Sequence, residues 1–85
     1  MRFLAVGSYE LDKAEAVTER TKSWTCPEGI KIILPGHVII GQTKSITVID
    51  IEDPKILVKI NRAWRDIMIF KFYPIMETSE ILKIE

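Results

Sequence analysis

Apolar residues along this chain recur with two different periods, and the changes of period mark the elements. Residues 2–9, Arg-Phe-Leu-Ala-Val-Gly-Ser-Tyr, are apolar on both alternating sides and predict a first strand. Leu11, Ala14, Val17, Thr21 and Trp24 then follow at three- and four-residue steps, with Lys13, Glu15, Glu19 and Lys22 turned outward. That spacing predicts a helix over 11–24. Cys26-Pro27-Glu28-Gly29 ends it, because proline cannot continue a helix and glycine frees the turn. Ile30 to Ile40 predicts a second strand, broken at Pro35-Gly36. There a missing ladder donor beside a permissive backbone points to a bulge. Gly41-Gln42-Thr43-Lys44 reads as a hairpin connection, and Ser45 to Glu52, dense in β-branched residues, as a third strand.

The second helix is the strongest pattern in the sequence. Asp53 is a good N-cap and Pro54 fits the first helical position, where its missing N–H costs nothing. Ile56, Leu57, Ile60, Ala63, Trp64 and Ile67 then form one continuous stripe, opposite Lys55, Lys59, Arg62 and Asp66. Ile69 to Ile75 predicts a fourth strand, with Pro74 at its end or on an edge. Thr78-Ser79-Glu80 either caps a last helical turn through Lys83 or leads a tail that extends along another chain.

The order strand–helix–strand–strand–helix–strand is the split βαβ arrangement, a ferredoxin-like α+β fold with a four-stranded antiparallel sheet. Two helices cover only one face of such a sheet, so the other should alternate in polarity if it meets water. These strands alternate poorly. Phe3, Ala5 and Tyr9 oppose Leu4 and Val6, and Ile46 and Val48 oppose Ile49 and Ile51. Phe70 and Phe72 oppose Ile69, Tyr73 and Ile75. A second apolar face of that size exceeds the usual exposed patch and predicts a homodimer packed through the open sheet face.

Length and composition sharpen this expectation. Eighty-five residues hold one domain, spanning 1–85, and bury too little surface to be generously stable alone. Cys26 is the only cysteine and His37 the only histidine, so neither an intrachain disulfide nor a metal site is expected. A partner chain remains as the support. Twelve Lys/Arg balance twelve Asp/Glu, which argues against a nucleic-acid partner. An RNA-recognition domain shares this element order, but its third strand carries basic and aromatic residues. Here that strand reads Ile46-Thr47-Val48-Ile49-Asp50-Ile51. Five Lys/Arg against one acid over residues 54–73 read as a solvated helix face. No apolar run reaches membrane-span length and Phe3–Val6 is too short for an export signal, so a cytoplasmic location is expected.

Four short segments, in this order and spacing, resemble an uncharacterised family of short proteins with a dimeric α+β-barrel fold. They are Pro27-Glu28-Gly29-Ile30, Asp53-Pro54, Trp64-Arg65-Asp66 and Phe72-Tyr73-Pro74-Ile75-Met76, and together they span nearly the whole chain. The resemblance implies a ferredoxin-like protomer paired sheet to sheet. It implies no activity. The wider α+β-barrel group includes cofactor-independent monooxygenases, haem-handling enzymes, isomerases and effector-binding modules, so the fold alone transfers no function.

Candidate chemistry is sparse. His37 follows the Pro35-Gly36 bend, where a bulge could aim the only imidazole into a cavity as a general base or haem ligand; a structural, hydrogen-bonded histidine is the plainer reading. Asn61 flanks the helical stripe, and an amide buried there would need partners. Tyr9 and Tyr73 end strands and could bring phenols to the same cavity, or serve as interfacial aromatics. Trp24 and Trp64 read as core packing over the sheet. Cys26 follows a helix C-terminus, where the dipole disfavours a thiolate.

Two functions follow. One is a non-catalytic, homodimeric module, without cofactor, that binds a small apolar or aromatic molecule or another protein. The alternative is a cofactor-independent enzyme, monooxygenase- or isomerase-like, acting on a small aromatic or polyketide-like substrate through His37 and Asn61. A cavity lined by His37, Asn61 and a tyrosine would favour the second, and a solid core with His37 in solvent only the first.

Overall fold

The computed structural model describes residues 1–84. Its elements are β1 (Arg2–Ser8), α1 (Ala14–Ser23), β2 (Ile30–Val38), β3 (Lys44–Ile51), α2 (Lys55–Trp64), β4 (Ile69–Pro74) and a single closing turn, α3 (Thr78–Ile81). The four strands form one antiparallel sheet in the order β2-β3-β1-β4. This is the α+β architecture expected from the alternation of periods, with β1 and β3 central and β2 and β4 at the edges.

Strand register assigns the two faces. Phe3 stands opposite Ile49, and Ala5 opposite Thr47 and Phe72. This face packs under the helices and supplies Ala5, Ile49 and Ile51 to the core. From above come Val17, Ile56, Ile60, Trp64 and Met68. Met68 sits between α2 and β4, outside the helical stripe, and is as buried as any residue of α2.

The two helices hold on unequally. In α2 the Asp53 carboxylate accepts the Lys55 amide at 2.9 Å, two residues on, as an N-cap does. The helix then buries Ile56, Ile60 and Trp64 on one stripe. In α1 only Val17 is buried. The expected inward position of Leu11 is not realised: residues 11–13 form a 3₁₀ turn before the helix, and Leu11 is 78 % exposed. A turn with three residues per revolution rotates Leu11 off the stripe that a continuous α-helix would have made.

β2 is irregular at the expected place. Its pairing with β3 shifts register between Ile32 and Leu34 and again between Leu34 and His37, around Pro35-Gly36. The strand ends at Val38, two residues before the expected boundary, and the connection closes with Gly41 at φ +83°. Gly29, at φ +90°, makes the turn into β2, and a Cβ there would lie 2.8 Å from Ile56.

Candidate functional site

The space between α1 and the sheet is not filled. α1 turns Val17, Thr18 and Thr21 toward a sheet face carrying Ile49, Phe70 and Phe72, and residues this small leave a gap where α2 has isoleucines and a tryptophan. The gap is a cavity of about 520 Å³, within the range of sites for small organic molecules. Trp24, Trp64, Phe70 and Phe72 form a continuous aromatic row along it. Trp24 meets Trp64 edge-on at 5.3 Å, Trp64 meets Phe70 at 6.0 Å, and Phe70 stacks on Phe72 at 6.0 Å.

An ion pair joins the two helices beside this row. The Arg20 guanidinium donates to both carboxylate oxygens of Asp66, at 2.6 and 2.8 Å, and to the Ala63 carbonyl at 2.9 Å. Its carbon lies 5.7 Å from the centre of the Trp64 ring. These hydrogen bonds hold the Asp66 carboxyl down at about 2. With Val17 the only buried residue of α1, this fork is a principal tie between α1 and the body of the protein.

Two of the four residues singled out from the sequence come together here. Tyr9 and His37 both line the cavity. His37 is exposed, and its Nδ1 lies 2.6 Å from the Pro35 carbonyl. A carbonyl only accepts, so Nδ1 carries the proton and Nε2 is left as the basic nitrogen. Asn61 is not part of this wall. It sits one residue past Ile60 on α2, a step of about 100° that turns it to solvent. Tyr73 is also elsewhere, on the open face of the sheet opposite Leu4, and 47 % exposed.

The two tryptophans are cavity-wall residues as well as core, a double role that their helical spacing alone does not distinguish. A signal for the cavity is nonetheless present in the sequence. The inward side of α1 offers Ala14, Val17, Thr18 and Thr21, too little volume to cover a sheet face of isoleucines and phenylalanines.

Three threonine hydroxyls of the wall are engaged locally. Thr18 and Thr21 donate to the Ala14 and Val17 carbonyls at 3.0 and 2.8 Å, and Thr47 donates to the Leu34 carbonyl at 2.6 Å. Cys26 is an exposed free thiol at the edge of the same wall. A second hollow, about 570 Å³, lies beside Lys31, Asp50, Glu52 and Asp53, and is a groove between charged side chains without an aromatic residue. Among the described residues, no cluster of three or more His, Cys, Asp or Glu could hold a metal ion. Among the same residues, no helix is long and apolar enough to cross a membrane.

No curated protein and no solved structure matches the chain. A family profile matches residues 1–85 throughout, and the chain therefore belongs to the family described as Domain of unknown function (DUF3303).

Proposed function

We propose that this protein is a homodimeric, non-catalytic module that binds a small apolar or aromatic molecule in the cavity beneath α1. The observation that carries this reading is the cavity itself, walled by an aromatic row in a protein that can ill spare core volume. Binding rather than turnover is supported by the wall's threonines. The Thr18, Thr21 and Thr47 hydroxyls are tied to neighbouring carbonyls. Pairing through the open sheet face is supported by its apolar centre, and the free Cys26 thiol suits the reducing cytoplasm.

Trp24 and Trp64 are the only tryptophans of the chain and both stand in the cavity wall, so intrinsic fluorescence reports on occupancy. Titration with the neutral aromatic probe N-phenylnaphthylamine is expected to quench that fluorescence saturably, at one probe per chain, and to raise the melting temperature. Unsaturable quenching with an unchanged melting temperature would remove the reading.

A cofactor-independent enzyme acting on a small aromatic or polyketide-like substrate is the second reading. It is favoured by Tyr9 and His37 sharing one cavity wall. Conversion of a bound aromatic substrate that His37→Gln abolishes, while probe binding persists, would select it over the first.

A further inference from the structure

Charge around the cavity is one-sided. Among the described residues of its wall, Lys22 is the sole Lys, Arg, Asp or Glu. Building on the reading of this cavity as a ligand site, we propose that it selects an aromatic monocarboxylate, its rings against Trp64, Phe70 and Phe72 and its carboxylate paired with Lys22.

Placement on α1 supports this division of the ligand. Thr18, Thr21 and Lys22 stand at i, i+3 and i+4, so one side of the helix presents all three along the cavity. The sheet and α2 contribute Ile49, Ile60, Trp64, Met68, Phe70 and Phe72. A ligand filling this space meets an apolar, aromatic floor and one cation at its rim.

A single negative charge fits better than a phosphate. Phosphate recognition draws on a guanidinium fork or several free donors. Arg20, the guanidinium of α1, is already committed to Asp66 and the Ala63 carbonyl. The Thr18 and Thr21 hydroxyl protons are committed to backbone carbonyls. Lys22 is more available: its partner is Glu19 at 3.0 Å, in a pair whose side chains are both about two-thirds exposed or more. Such a pair contributes little and yields readily to a carboxylate held beside it. A cationic aromatic ligand would meet Lys22 and no compensating acid on the wall.

Pyrenebutyrate and pyrenebutanol share one ring system and differ in the head group, so their affinities isolate the charge. The alcohol is the less water-soluble of the two, and hydrophobic transfer alone would favour it. Measured by tryptophan quenching and calorimetry, the acid is expected to bind about two- to fivefold more tightly, the range of one partly exposed charge pair. Lys22→Met should abolish that preference and Lys22→Glu should reverse it. Lys59→Met, on the exposed side of α2, should leave it unchanged. Equal binding of acid and alcohol to the unaltered protein, or an acid preference that survives Lys22→Met, overturns the proposal and leaves the cavity as a neutral apolar site. If neither probe binds, the ligand-site reading falls as well.

Discussion

At Gly7 the fold depends on a missing side chain. This residue lies in central strand β1, opposite Ser45 on one side and Phe70 on the other. A Cβ there would stand 2.6 Å from Met68 Sδ, 3.0 Å from the Phe70 ring and 3.2 Å from Ser45 Oγ. Met68 is flexible and could move, but it is among the most buried residues and packs against the aromatic row. Gly7→Ala should therefore destabilise the protein by about 1–3 kcal/mol, the usual cost of overpacking a core. Urea denaturation should show a lower midpoint at unchanged slope. Gly36→Ala, with open space around its Cβ, is the control and should be close to neutral. Equal stability of both variants would show that the Met68–Phe70 contact is loose. The sequence marks Gly7 only as a small residue inside an apolar strand. The close approach that requires it belongs to the packing of β4 and Met68 across the strand, which no local pattern encodes.

Among the elements, legibility followed the strength of the apolar stripe. Asp53-Pro54 and the run from Ile56 to Ile67 determine α2 locally, because capping, proline geometry and burial all favour the same start and face. α1 has one buried aliphatic residue and no side-chain cap, so its beginning slipped into a 3₁₀ turn that the spacing did not foretell. Its attachment rests heavily on the Arg20–Asp66 fork, and this dependence has a pH signature. Asp66 titrates at about 2 in the folded protein against an ordinary 3.8, so the carboxylate is favoured by folding. Its contribution is complete above pH ~4 and is lost as pH falls through the folded value. Because the pair is exposed, solvent screens it and the global effect is small. The local effect should be clearer. Asp66→Asn is expected to speed amide hydrogen exchange across Ala14–Ser23 at neutral pH while β1 and β3 stay protected. It should also flatten the acid dependence of α1 protection between pH 4 and pH 2. Unchanged exchange in α1 would mean that Val17 and Trp24 suffice to hold the helix.

For the whole molecule, the sequence expectation of a sheet apolar on both faces becomes more specific once the register is known. Residues on the side away from the helices fall in rows across the strands. One row runs Leu34, Val48, Leu4, Tyr73 and is apolar throughout, with Val6 beside it. The next row along the strands runs Lys31, Asp50, Arg2 and is charged throughout. An apolar centre beside a charged margin is the anatomy of an association surface. It differs from the continuous apolar sheet suggested by strand composition, since alternation alone does not reveal how positions on four strands line up. A symmetric dimer through this face would bury on the order of 800 Å² per partner. Light scattering after size exclusion should then give twice the chain mass at micromolar concentration. Val48→Lys places a charge in the middle of the apolar row without touching the side packed under the helices. It should yield a monomer with an unchanged circular dichroism spectrum and an unchanged pyrenebutyrate affinity, because Val48 does not line the cavity. A monomeric unaltered chain would refute the pairing, whereas a Val48→Lys variant that lost both dimer and ligand would show that the two faces are coupled. Independence is expected on physical grounds: Trp64, Phe70 and Phe72 are fixed by α2 and β4 within one protomer, and neither Val48 nor its row neighbours Leu4, Leu34 and Tyr73 line the cavity.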